Sequence, residues 1–147
     1  MPVTHRSDCP INLAVEVIGD RWTLLVLRDI MFGGRQHFRA LLEGSEEGIS
    51  PSVLAERLQR LTTAGILRRE CCATHRQKGY FRLTEAGADL VPVIAAIGAW
   101  GARHRGADPA QCDKVLQLES GGAEGCRAFK ARLLADHPSA PPQEAKT

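Results

Sequence analysis

The chain has 147 residues, a formal net charge of +2 at pH 7, 44% apolar residues and 24% charged residues. That is enough for one domain of ordinary size whose core needs no metal or disulfide staple. No apolar run approaches the roughly 18 residues of a membrane-spanning helix. The composition also excludes a collagen-like fibre and a large multidomain enzyme.

The distribution of charge says more than its sum. Between Ser50 and Arg82 stand Arg57, Arg60, Arg68, Arg69, Arg76, Lys78 and Arg82, opposed only by Glu56 and Glu70. A local cationic patch on a nearly neutral chain suggests an anionic partner at one face, or a solvated surface with more Arg than Glu. The five cysteines are Cys9, Cys71, Cys72, Cys112 and Cys126. An odd count, with no apolar stretch after the opening charges, predicts free thiols in a reducing cytoplasm and no secretory signal.

A short apolar stretch runs from Asn12 to Ile18, with Leu13, Val17 and Ile18 on one face and Gly19 closing it. Asp20 then stands as N-cap of a helix in which Trp22, Leu25, Val26 and Ile30 recur at helical spacing. That helix is apolar almost all round, which predicts a central place in the core. His37 to Leu42 reads as a short helix with Phe38, Leu41 and Leu42 inward, followed by the loop Gly44–Gly48. Ser50 as N-cap and Pro51 at the first helical position mark the next start. Leu54, Leu58 and Leu61 form its inner stripe, and Gly65 stops it. The opposite face carries Ser52, Glu56, Gln59 and Thr63, flanked by Arg60 and Ala55.

Beyond Gly65 the period changes. Ile66–Cys72 and Tyr80–Leu83 read as two strands of a hairpin with a basic tip, Ala73–Gly79. Thr84 caps a helix from Glu85 to about Arg105, which Pro92 kinks or shifts in its first turns. Leu90, Ile94, Ile97 and Gly101 mark one stripe, with Val93 and Trp100 beside it. Two further helices are expected, near Ala110–Leu118 and Glu124–Leu134, separated by Gly121-Gly122. The expected division is a domain over 9–105, a helical extension over 106–136 and a disordered tail over 137–147. The fold class is mainly α with a small β-hairpin.

The order helix, short helix, turn, capped helix, basic hairpin, helix is that of a winged helix-turn-helix. A helix fits the major groove of duplex DNA, where outward polar side chains meet base edges. Basic residues beside it neutralise phosphates and release counterions. No Gly-rich phosphate loop, G-x-S-x-G, H-E-x-x-H or convincing carboxylate pair argues for an enzyme. The alternative is a winged-helix module that binds a protein partner without specific DNA binding.

The residues resemble a known family. Cys9-Pro10 and the run Ile18-Gly19-Asp20-Arg21-Trp22-Thr23-Leu24-Leu25-Val26-Leu27-Arg28 look like the opening of HxlR-type winged-helix regulators. Phe38, Leu41, Ile49-Ser50, Leu54, Arg57-Leu58, Leu61, Gly65-Ile66-Leu67 and Arg69 continue the likeness, as do Tyr80, Leu83-Thr84, Gly87, Leu90 and Trp100-Gly101. The resemblance implies a bacterial transcriptional regulator of MarR-like architecture, usually a homodimer on a pseudo-palindromic operator, with no cofactor. Two departures stand out: the turn Glu43–Gly48 is about one residue longer and more acidic than the family's, and the tip Arg76-Gln77-Lys78-Gly79 lacks the family's proline.

The expected DNA-reading residues are Ser50, Ser52, Glu56, Gln59 and Arg60. Ser50 is a cap first, and Glu56 either accepts from a cytosine amino group or pairs with Arg60. Arg57, nearer the buried edge, is expected as an internal anchor. Phosphate contacts are expected from Arg35, His37 and Arg39 at the short helix, and from His75, Arg76 and Lys78 on the wing. Leu90, Ile94, Ile97 and Trp100, with Leu13 and Val17, are the expected dimer interface, unless that stripe folds back on its own core. A dimer would set two reading helices about 34 Å apart.

In similar regulators a cysteine at the place of Cys9 acts as a thiol switch towards oxidants, quinones or aldehydes. Such reactivity needs a lowered pKa, for which Arg21 or the helix start at Pro10 would be sources. Cys112 is the expected partner for an intersubunit disulfide. Cys71 and Cys72 point to opposite faces of a strand, which argues against a metal site with His75.

Overall fold

Side-chain caps set several of the helix starts. Asp20 Oδ1 accepts from Thr23 N at 3.0 Å, Ser50 Oγ from Val53 N at 3.3 Å, and Thr84 Oγ1 from Gly87 N at 3.1 Å. The computed structural model describes residues 4–71 and 79–135. Their elements are α1 (Pro10–Ile18), α2 (Arg21–Met31), α3 (Phe38–Glu43), α4 (Pro51–Thr63), β1 (Leu67–Cys71), β2 (Gly79–Leu83), α5 (Glu85–Ala88), α6 (Val91–His104), α7 (Pro109–Ser120) and α8 (Gly122–Ala135). The chain is therefore mainly α with one antiparallel hairpin, as the sequence predicts. No described helix is long and apolar enough to cross a membrane.

The core gathers around α2. Its Val26, Leu27, Ile30 and Met31 are buried with Leu54, Leu58 and Leu61 of α4 and Leu41 of α3. Burying each such side chain contributes about 1.5–3 kcal/mol against chain entropy. Leu67 and Leu83 face each other across the hairpin and add to the same core. α7 and α8 cover it from the C-terminal side through Leu118 and Phe129, and Phe129 stacks on Phe32 of the α2 end at 5.5 Å.

Two glycines make the hairpin's attachment feasible. Gly65 takes φ +77°, a left-handed turn that lets Ile66 N return to Leu61 O at 2.9 Å. Gly87 passes so close to β1 that a Cβ there would sit 2.2 Å from Ile66 O. Thr84 Oγ1 also donates to Gly65 O at 2.6 Å, tying both ends of the hairpin together.

Several expectations are corrected. The helix expected from Glu85 is two, because α5 ends at Ala88 and α6 restarts at Val91 with Pro92 in its first turn. The stripe expected on it splits. Ile94 is buried and Leu90 packs against the core, while Val93, Ile97 and Trp100 face outward. A step of three residues turns the helix by about 60° short of a full turn, enough to separate Ile94 from Ile97. On α1, Val17 packs on the core and Leu13 is half-buried, whereas Ile11 and Val15 are exposed. The outward apolar residues are therefore Ile11, Val15, Val93, Ile97 and Trp100. Cys112 is buried on α7, its thiol against Asp108 O at 3.3 Å, so it is not placed to reach a second subunit. The wing tip with His75, Arg76 and Lys78, the Cys72–His75 metal question and the expected tail lie outside the described residues.

Candidate nucleic-acid interface

The Ser50–Pro51 start aims α4 so that its leucines face the core and its short polar side chains face out. Ser52, Ala55, Glu56, Gln59, Arg60 and Thr63 are all exposed, while Leu54, Leu58 and Leu61 are buried. Ser50 caps the helix and lies 3.4 Å from Ser52, hydroxyl to hydroxyl. Glu56 is paired within the helix, with Arg57 and with Arg60 at 3.5 Å. Gln59 makes no side-chain bond among the described residues, so its amide is free to meet a partner.

Asp20 fixes the rotation of α4. Its Oδ1 accepts from Arg57 Nε at 2.9 Å while both its oxygens accept from Thr23. Burial alone would push the Asp20 carboxyl up. The hydrogen bonds from Thr23 and Arg57 outweigh it and hold the group at about 2. Arg57 is thus the internal anchor the sequence suggested. With it held inward, Arg60 and Gln59 are turned outward.

The acidic turn before α4 is also accounted for internally. Glu47 accepts from Arg28 Nη1 and Nη2, each at 2.7 Å, and Arg28 Nε donates to Asp29 Oδ1 at 2.9 Å. The bond from Arg28 keeps the Glu47 carboxyl below its ordinary range, whereas burial raises that of Asp29. The bidentate pair takes Glu47 away from any facing phosphate. Arg35 is drawn into the same cluster, its Nη1 3.4 Å from Asp29 Oδ1, and so is turned from its expected phosphate role. A buried carboxylate recruits the nearest cations.

α3 supplies His37 and Arg39. Arg39 is exposed and paired with Glu43 at 2.7 Å, one helical turn on. His37 is half-buried, its ring 4.2 Å from that of Tyr80, and it pairs with Tyr80 as an isolated bridge. Phe81 N donates to Gln36 O at 2.8 Å, which holds the hairpin root against the start of α3.

The two faces of the hairpin differ. One face carries Arg68, Glu70, Tyr80 and Arg82, with Glu70 2.9 Å from Arg68 and 3.3 Å from Arg82. The other carries Arg69, paired across the ladder with Phe81. Arg69 lies across Gly79 and forms no ion pair among the described residues. It walls a groove of about 830 Å³ whose other side is α4, at Ala55, Gln59 and Thr63, and whose end is α3, at Phe38 and Arg39. Arg69 and Phe81 were not among the expected site residues. Strand alternation from buried Leu67 and Leu83 was the signal that could have found them.

The patch counted from sequence is therefore weaker than its sum, since Arg57, Arg60, Arg68 and Arg82 all have carboxylate partners. What remains is a polar helix face beside a groove with Arg69 on its rim, free of any ion pair among the described residues, and Arg39, exposed but paired with Glu43.

Comparison with known proteins bears on this arrangement. The HTH-type transcriptional regulator Rv3095 of Mycobacterium tuberculosis is 37% identical over 100 residues, covering 67% of this chain and 61% of that protein. The chain thus spans about three-fifths of that relative's length. The solved structure of PA1607 superposes with a TM-score of 0.61 at 31% identity, covering 71% of this chain and 70% of the other. The redox regulator HypR in its reduced form gives 0.58 at 27% identity, covering 66% and 94%. Residues 17–109 match the family model described as HxlR-like helix-turn-helix, and the chain belongs to that family.

Proposed function

We propose that this chain is a transcriptional regulator that binds duplex DNA sequence-specifically as a homodimer. The observation that carries the reading is the exposed polar face of α4, Ser52, Glu56, Gln59 and Arg60, lying beside a groove bounded by the hairpin's Arg69. Such a face suits major-groove insertion, with Gln59 to base edges and the rim arginines to phosphates. Arg39 and, outside the described residues, His75, Arg76 and Lys78 complete the phosphate set.

The dimer is supported by five large apolar side chains left exposed on two helices. They are Ile11 and Val15 on α1, and Val93, Ile97 and Trp100 on α6. Trp100 is 57% exposed, an unusual place for the bulkiest side chain of a single domain. A two-fold axis through these faces would pair two copies of α4 on one side of DNA.

The same reading makes Cys9 a thiol sensor. It is exposed at the N-cap position of α1, where no side-chain cap bond engages it, and HypR is a redox regulator. With Cys112 buried, the sensing partner is a small electrophile or oxidant and not that cysteine.

Selection of bound DNA from a random pool, with and without an oxidant, tests the reading. A single enriched pseudo-palindrome is expected, bound by a dimer. Its affinity should fall roughly 10³–10⁵-fold between 50 and 200 mM salt for six to ten phosphate contacts. No enrichment and a flat salt response would assign the fold to protein partners instead.

A further inference from the structure

A second cavity, of about 510 Å³, lies on the opposite side of the hairpin. Alternation along β2 sends Phe81 to the groove beside α4 and Tyr80 into this cavity. Its far wall is built by α7 and α8, through Lys114, Phe129 and Arg132. The family match ends at residue 109, so this wall belongs to a part of the chain beyond it.

The chemistry of the wall is unbalanced. Phe129 is buried and stacked on Phe32. Lys114 Nζ stands 5.1 Å from the Phe129 ring centre and 5.9 Å from that of Phe32, and the Arg132 guanidinium stands 5.5 Å from Phe129. Ring faces attract cations but neutralise no charge. Among the described residues, neither Lys114 nor Arg132 has a carboxylate partner and no Asp or Glu lines the cavity. Cations elsewhere do find one, as Arg28, Arg57 and Arg103 do.

We infer that this cavity binds a small aromatic carboxylate, its ring against the Phe32–Phe129 pair and its charge between Lys114 and Arg132. The volume admits one or two fused rings. A bare anion would leave the apolar lining of Met31 and Leu133 wet, and a neutral ring would leave two cations uncompensated. Occupancy also bears on the wing. Tyr80 and Gln36 line the cavity, and His37, which heads α3 and packs on Tyr80, lines both cavities. The ligand therefore acts on the contacts that seat the hairpin and α3 beside α4. This makes it an effector of DNA binding, a role that rests on the regulator reading above. By linkage, ligand and DNA alter each other's affinity by the same factor.

Calorimetric titration of the full chain with 2-naphthoate, without DNA, tests the site. One saturable site per chain is expected, with 2-naphthalenemethanol, the uncharged counterpart, binding about tenfold or more weakly. Lys114→Met and Arg132→Met should each weaken 2-naphthoate about tenfold, whereas Arg103→Met, on a cation paired elsewhere, should not. Unchanged thermal melts of the variants exclude misfolding as the cause. No saturable heat with 2-naphthoate or benzoate up to millimolar levels, or binding indifferent to both substitutions, overturns the site. In a second arm, the affinity for the selected DNA is measured by anisotropy with and without 2-naphthoate. A change of about threefold or more is expected, and an unchanged affinity with ligand bound overturns the coupling. A chain that binds 2-naphthoate but no DNA keeps the cavity and sinks the regulator reading. Loss of DNA affinity in Lys114→Met with no ligand heat would make the two cations phosphate contacts instead.

Discussion

Arg57 Nε donates to Asp20 Oδ1 at 2.9 Å, so the residue that caps α2 also anchors α4. One carboxylate thereby orients two helices, and the outward aim of Gln59 and Arg60 depends on it. Arg60 Nη2 reaches the other oxygen of the same group at 3.8 Å while the side chain stays exposed.

Asp20→Ala removes the cap and leaves Arg57 without its partner. A loss of about 2 kcal/mol of unfolding free energy is expected, read by urea denaturation. Asp20→Asn, which still caps, should lose less. Equal losses in the two variants would mean that the cap contributes little and that the charged bond to Arg57 carries the effect.

The low Asp20 value sets a pH dependence. Its folded pKa, about 2, lies below the ordinary aspartate value near 4. The stability it supplies is therefore fully present above about pH 4 and is lost as pH falls towards 2. Glu47, lowered by Arg28, adds a loss of the same sign. Thermal melts from pH 5 to 2 should show the gap between parent and Asp20→Asn closing as pH falls. A gap that stays constant across this range rules the linkage out.

Gly87→Ala should destabilise by about 2–3 kcal/mol, since the new Cβ meets the Ile66 carbonyl, which cannot swing aside as a flexible side chain could. Gly101→Ala, where a Cβ meets nothing within 4 Å, serves as the control and should be neutral or mildly stabilising.

Gln59→Ala and Arg69→Ala should fail differently on DNA. The first should relax preference at one base position, at a cost of about 1–3 kcal/mol on the preferred site. The second should weaken all sequences alike and lower the salt slope by about one. Anisotropy on the selected site and on single-base variants separates the two. Uniform weakening by Gln59→Ala would remove it from base readout.

Cys9→Ser should abolish the release of DNA by diamide or a quinone while leaving the reduced protein's affinity unchanged. Release that survives the substitution transfers sensing to another thiol, of which exposed Cys71 is the first to examine.

What the sequence determined by itself was local. Asp20, Ser50 and Thr84 as caps, Pro51 as a first residue and the leucine stripe of α4 are each settled within a turn or two of helix, so they were legible. The exposed face Ser52–Glu56–Gln59 followed from that stripe, because a helix with one side buried has its other side decided. Only the tertiary structure decided which side of a doubly apolar helix turns inward, as with Ile94 in and Ile97 out on α6. It also decided where long cationic side chains end. Arg35 goes to Asp29 and Arg57 to Asp20, whereas Lys114 and Arg132 are left over an aromatic pair. The reason is that burial and ion pairing join residues far apart in the chain. Periodicity reports the angle of a side chain about its own helix axis, and not what the rest of the fold places opposite it.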